Sequence, residues 1–438
     1  MNTPFDFRIE WQNAPGVTTP ELAATWARYE IWLGDRCVTQ VEASDGTFRR
    51  GVYGSLYPLA YWIASNWWLL TSHVRPTAID ARYWTWRNIH TYPWLRQHNL
   101  RGAGDGMAWP DLTLVPEGVI TRVTWSQDQY RRLSPVRFAS DGSGIVRADE
   151  LRRELAKIVN NVLDRLAEVD LTKTPLAEEW ASIGSSDYEE VSFCETAARM
   201  GLDPYSVSDE IADDIVNAAS ALPSEILGDF FDSADASDLR VAVEWARGAI
   251  LTAEKAAIKA NRSLLDIPDA ISDETGSLPD ALDERPWQLG YAMARRLRGE
   301  LAVPDTDFFD VAPWVGTAEV RAPARGLYGF AAVSGERCGA VLGTPGLGPN
   351  TRRFGQARAL GRILAHRGQQ QFILSAARSH DERVARAFAA ELLAPAQGVR
   401  RMLDAVGEED DSALETIADR YKVSPLLVRH QYDNQIAA

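Results

Sequence analysis

Arg358 and Arg362 stand four residues apart in the stretch Arg352-Arg353-Phe354-Gly355-Gln356-Ala357-Arg358-Ala359-Leu360-Gly361-Arg362-Ile363-Leu364-Ala365-His366. Side chains four apart lie on one face of a helix, so two imidazoles at that spacing grip one metal ion. A glutamate beside the first imidazole then serves as general base toward the metal-bound water. This stretch has that frame without that chemistry. A guanidinium stays protonated and offers no lone pair, so neither Arg358 nor Arg362 ligates zinc. Ala359, at the position of the base, moves no proton.

The surrounding residues extend the frame. Arg353-Phe354, Ala357 and Leu360-Gly361 resemble the R-F-x-x-A-H-E-L-G-H motif of the ImmA/IrrE family of zinc metallopeptidases. Glu382-Arg383-Val384-Ala385-Arg386-Ala387-Phe388-Ala389-Ala390-Glu391-Leu392-Leu393-Ala394-Pro395 is similar to the family's E-x-x-A-N-x-F-A-A-x-L-L-x-P, the more specific of the two motifs. Pro286-Trp287-Gln288-Leu289-Gly290-Tyr291, with Ala294 and Leu297-Arg298, looks like the helix that opens the family's domain. The resemblance covers roughly residues 284–405 and implies that Glu382 corresponds to the third zinc ligand. It departs from the family at both histidine ligands and at the base, so it implies a peptidase-like fold with no catalytic residue and no metal at the degenerate site of Arg358, Ala359, Arg362 and Glu382.

A pocket emptied of zinc leaves Glu382 as a costly unpaired carboxylate. Arg358 and Arg362 carry forks suited to a carboxylate, which predicts an arginine–glutamate clamp between two helices. The plainer alternative turns both arginines to solvent. A third reading rebuilds a metal site from His366, His380, Asp381 and Glu382.

Composition sets outer limits. The 438 residues are 45% hydrophobic and 24% charged, as in ordinary globular chains of several domains. Cys37, Cys194 and Cys338 are widely separated and form neither a metal nor a disulfide pattern, which fits a reducing cytosol. Asp6, Arg8 and Glu10 interrupt any N-terminal apolar run, so no signal segment is expected. Only five lysines accompany 41 arginines, a bias that points to a GC-rich bacterial genome. Gly51–Val74 has no formal charge and is long enough to span a bilayer. Pro58, Ser65, Asn66 and His73 argue instead for a buried or half-buried helix over 58–70 of a soluble domain. Between 161 and 240 there are 19 acids and four bases, a net of −15 that equals the charge of the whole chain. Solvated acidic faces explain this, with internal docking, a basic partner or nucleic-acid mimicry as alternatives.

Residues 1–145 hold 11 of the 15 tryptophans and read as a Trp-rich α+β recognition domain. Thr19-Pro20-Glu21 marks a helix start or turn. Ala27–Leu33 and Cys37–Ala43 predict a hairpin about Gly34-Asp35, and Leu112–Val115 and Val119–Trp125 two further strands about Pro116-Glu117-Gly118. Gly102-Ala103-Gly104-Asp105-Gly106 is not a phosphate cradle by spacing. The aromatic clusters are expected in the core rather than as a platform for bases.

Residues 146–262 form the expected acidic helical domain. Its helices are Ala148–Val169, Tyr188–Met200 ending at Gly201, Asp209–Ala221 capped by Ser208, and Asp238–Ala260. Residues 263–286, with three prolines, are the linker. Residues 287–410 are the degenerate ImmA/IrrE peptidase-like domain. The 411–438 tail, Ser412–Tyr421, a turn at Lys422-Val423-Ser424-Pro425, then Leu426–Asn434, resembles a helix-turn-helix whose second helix offers Arg429, His430, Gln431 and Asn434 to DNA.

The expected architecture is an α+β multidomain chain, predominantly helical, with a zincin-like C-terminal domain. The resemblance implies a cytoplasmic bacterial pseudoenzyme: a regulator or sensor that binds a protein partner (a repressor, an antitoxin, or a phage or host protein) in a stress, mobile-element or phage-defence circuit. No cofactor and no membrane are expected. The alternatives are a DNA-binding transcriptional regulator acting through the tail, and an active metallopeptidase with the rebuilt metal site. No Ser-His-Asp or Cys-His arrangement is readable, because the six histidines are scattered.

Overall fold

A computed structural model of the chain describes residues 4–14, 16–74, 91–129, 136–259, 286–320, 326–343, 348–366, 368–406 and 411–436. The structure is α+β and predominantly helical, in two compact units, Met1–Val207 and Ser208–Ala438. That division falls inside the 146–262 span expected as one acidic helical domain, and the acidic helices lie on both sides of it. Their apolar stripes cover two different cores. The linker expected at 263–286 lies outside the described residues except for Pro286.

In the first unit, β1 (Phe5–Trp11), the short helix α1 (Pro20–Ala24) and β2 (Trp26–Leu33) come first, and the strands pair antiparallel from Phe5↔Leu33 to Trp11↔Ala27. Gly34, at φ +60, turns the chain into β3 (Arg36–Cys37) and forms the expected hairpin, but its second arm stops early. The buried Thr39 hydroxyl accepts the Ile31 N–H (3.0 Å) and donates to the Arg50 carbonyl (2.8 Å), ending the pairing there. The rest of the arm, β4 (Val41–Ala43), joins β5 (Phe48–Arg49) in a second sheet, while β6 (Val52–Ser55) returns to β2. The helix expected over 58–70 is two, α2 (Tyr57–Ser65) and α3 (Trp67–Ser72). Asn66 breaks it, its side-chain amide donating to the Trp62 carbonyl at 2.9 Å. After α4 (Pro93–His98), β7 (Asp111–Pro116) and β8 (Ile120–Ser126) form the second expected hairpin, turned by Gly118 at φ +86. β9 (Val136–Phe138) pairs with β4, and β10 (Gly142–Arg147) with β8. α5 (Ala148–Ala167) then lays Leu151, Leu155, Ile158, Val162 and Leu166 on the core of Ile31, Leu114, Val123 and Val146. Trp62, Trp68, Trp94, Trp109 and Trp125 are buried, as the core reading of the aromatics expects. α6 (Pro175–Ser185) and α7 (Tyr188–Arg199) complete the unit.

The second unit opens with α8 (Asp209–Ala221), α9 (Ser224–Phe231), α10 (Leu239–Ala256) and β11 (Ile258–Lys259). Ser208 stands at the N-cap of α8 without a side-chain capping bond. α11 (Pro286–Glu300), β12 (Gly316–Glu319), β13 (Leu327–Ser334) and β14 (Arg337–Leu342) follow, then α12 (Pro349–Ala365), β15 (Gln371–Ser375), α13 (His380–Leu393), α14 (Ala396–Val406), α15 (Asp411–Tyr421) and α16 (Pro425–Gln435). The sheet runs β11-β14-β13-β15, with β12 parallel to β14. α10 lies on β14 so closely that a Cβ at Gly339 would meet the Ala253 carbonyl oxygen at 2.1 Å. β15 forms one edge, and α12 and α13 pack on each other through Leu360, Phe388 and Leu392. No helix among the described residues is long and apolar enough to cross a membrane.

Candidate functional site

α12 and α13 meet where the sequence motifs place them. A Cβ at Gly361 would lie 2.7 Å from the Phe388 ring, so the helices close to a distance only glycine permits there. Ser379 caps α13, its hydroxyl accepting the Glu382 N–H at 3.4 Å, which sets Glu382 in the first turn. On α12, Gln356 through Arg362 are all buried, a run that is not amphipathic because both its faces are covered.

Glu382 is fully buried, and both of its oxygens are satisfied. Oε1 accepts the Ser375 N–H at 2.6 Å, and Oε2 accepts from Arg358 Nη2 at 2.5 Å. Arg358 also donates to the Ser375 carbonyl at 2.7 Å, so the end of β15 is gripped from both sides. Arg386, one turn beyond Glu382, stands 3.8 Å from the same carboxylate and donates to the Ala377 carbonyl at 2.7 Å. Burial lowers the pKa of Arg386 to about 10; Glu382 offsets part of that and Arg358 adds to it.

Arg362 is 2% exposed and does not share Glu382. It pairs with Asp229 of α9 and lies 3.2 Å from Asp381. Burial pulls its pKa down, but the three carboxylates of Asp229, Asp381 and Glu382 outweigh this and hold it above the usual value. Asp381 also collects two imidazoles, His366 Nε2 at 3.0 Å and His380 Nδ1 at 3.3 Å. Burial would raise its pKa, but those hydrogen bonds and the charge on Arg362 hold it well below the ordinary value. Asp229 has fewer partners. Burial pushes its pKa up to about 7, Arg362 opposes this, and neighbouring Glu382, Asp381 and Asp232 reinforce it.

Of the expected site residues, Arg358 and Glu382 form the predicted pair, Arg362 is diverted to aspartates, and Ala359 is buried without a polar role. Neither arginine turns to solvent. The rebuilt metal set is divided: His366 and His380 converge on Asp381, while Glu382 faces Arg358 and Ser375. Among the described residues no group of three His, Cys, Asp or Glu converges on a metal-sized position. Asp229 was missed because it lies 133 residues from Arg362 in a segment that reads as a solvated acidic face.

The tail folds as helix, turn, helix. Lys422 takes φ +52, and Ser424 caps α16 by accepting the Leu427 N–H at 3.3 Å. The residues offered to DNA do not share one open face. Gln431 is 1% exposed and donates to Glu391 at 2.7 Å and to the Ala394 carbonyl at 2.8 Å, so it is a core residue unavailable to a duplex. Arg429 is paired with Asp411, and Asn434 donates to the His430 carbonyl. His430 lines a cavity of about 320 Å³ with Asn350, Phe354, Val423, Leu426 and Leu427.

Comparison of the chain with models of known protein families returns no match, and comparison with curated proteins returns none.

Proposed function

We propose that this chain is a peptidase-like protein that binds a protein partner and does not cut it. The observation that carries the reading is the pair in which Arg358, at the first position of the helical frame, takes Glu382, at the third-ligand position, at 2.5 Å. A cation fixed there occupies the carboxylate a metal would need, and it brings no Lewis acid or base to a peptide bond. Removing either member of such a buried pair leaves a lone charge, so the substitution is self-consistent only as a pair. The order of α11, the strands, α12, β15 and α13 supports a zincin-like assignment for 287–410. In this reading the protein is a cytoplasmic regulator or sensor in a bacterial stress, mobile-element or phage-response circuit, the setting the resemblance implies.

The test is the zinc content of protein purified without chelator or metal-affinity tag, beside a variant carrying Arg358→His, Ala359→Glu and Arg362→His. The expected outcome is no stoichiometric zinc in the native chain and about one zinc per chain in the variant. About one zinc in the native chain, lost when Glu382 is changed together with His366 or His380, would overturn the reading.

A further inference from the structure

We infer that the groove between the edge of β15 and the arginines of α12 is a docking site for an acidic helical segment, which α9 fills in cis as an autoinhibitory contact. The inference rests on the reading of the arginine cluster as a site that binds.

Three observations carry it. The edge of a sheet presents unpaired main-chain groups that a ligand must satisfy. Here the Glu225 carboxylate accepts the N–H groups of Gln370 (2.9 Å) and Gln371 (3.2 Å), and the Gln369 side chain donates to the Glu225 carbonyl (3.2 Å). One turn on, on the same helix face, Asp229 pairs with Arg362. Ile226, Phe230 and Phe231 are buried, the i, i+4 and i+5 anchors of a helix seated in a groove. α9 thus reads the groove as a ligand does: one carboxylate at the start of β15, one on the arginine, and apolar anchors beside them. Glu225 is exposed, so its part of the contact is open to exchange with solvent and with a competitor. A tethered helix has an effective concentration of about millimolar or above, so a partner in trans succeeds only when the cis contact is weakened.

The probe is a labelled peptide of residues 222–235, followed by fluorescence anisotropy against the full chain. Native protein is expected to ignore it, and the Glu225→Ala, Asp229→Ala double variant to bind it at least about tenfold more tightly. A peptide carrying Glu225→Lys and Asp229→Lys is expected to bind neither. A folded double variant that ignores the native peptide, or that binds both peptides equally, overturns the inference. Hydrogen exchange on the native chain keeps the test alive if the variant misfolds. Phe230, Phe231 and Gln371 amides are expected to exchange at a common rate at least about tenfold faster than Phe330 and Ala331 of β13. Equal rates would mean α9 leaves only on global unfolding, which also overturns it. Neither readout involves metal or cleavage, so a failure here is distinct from a failure of the metal test.

Discussion

Two groups of buried or half-buried arginines in the second unit are satisfied by different acceptors. Arg298 of α11 is 1% exposed and donates to three main-chain carbonyls, those of Leu392 (2.7 Å), Pro304 (2.5 Å) and Asp307 (2.7 Å). Arg353 likewise serves the carbonyls of Tyr421, Lys422 and Phe309, closing the C-terminus of α15, where a helix dipole favours a cation. Burial lowers the pKa of both. Arg362 instead faces carboxylates, and Arg358 a carboxylate beside the Ser375 carbonyl; the pKa of Arg362 is raised despite its burial. The difference separates scaffold from site. Carbonyl acceptors belong to the main chain and persist under any substitution, so Arg298 and Arg353 are bound up with the fold itself. Carboxylate acceptors are side chains, and both members of such a pair can be exchanged together.

A double-mutant cycle on Arg358 and Glu382 breaks the comparison most severely. Glu382→Ala leaves a buried, unpaired guanidinium and is expected to cost about 3–5 kcal/mol in denaturant unfolding of the second unit. Adding Arg358→Met should restore part of that loss, because a buried pair replaced by apolar groups is often near neutral, while the Ser375 N–H and carbonyl that the pair serves stay without it. A double variant no better than the single one would mean the arginine is held by more than its charge partner.

Arg298→Met sharpens the other side, with a smaller expected loss of about 2–3 kcal/mol from buried carbonyls left without donors. No second side-chain substitution should rescue it, since the orphaned groups are main chain. Rescue by Asp307→Ala, for example, would show that Arg298 acts through side-chain charge and would merge the two groups.

How much of this was legible follows from the same distinction. The α12–α13 frame was readable because a four-residue spacing and the 382–395 motif are local patterns, and Arg358 met Glu382 where those patterns put it. Asp229 was not readable: one aspartate among 19 acids carries no mark that it will turn inward. The boundary between the two units was not legible for a related reason. An amphipathic helix shows that it covers a core without showing which, so the stripes of α5 and α10 look alike although they serve different sheets. In the tail, Pro425 and Ser424 announce a second helix, but Leu426 is 62% exposed while Gln431 is buried, contrary to polarity. Gln431 goes inside because its amide joins Arg295 and Gln435 in satisfying the buried Glu391 carboxylate. Pairing between distant polar groups is the information a single sequence withholds.

The subtlest test concerns the two aspartates that share Arg362. Their pKa values move in opposite directions, and so do their contributions to stability. Asp381 lies well below its ordinary value, so its contribution is present above the unfolded value near 3.8 and is lost as pH falls through the folded one. Asp229 is raised to about 7, so the folded state favours its protonated form. Its contribution is full below about 3.8 and is lost as pH rises through about 7. Asp229→Asn removes that titration. Relative to the native chain, the variant should therefore gain stability as pH rises from about 4 to about 8, whatever constant offset the weakened contact to Arg362 adds. The measurement is the difference in Tm between variant and native protein across that range. A difference that stays flat would mean Asp229 is charged throughout. Arg362 would then be a bridge between two full carboxylates, and α9 would be held by charge as firmly as α13.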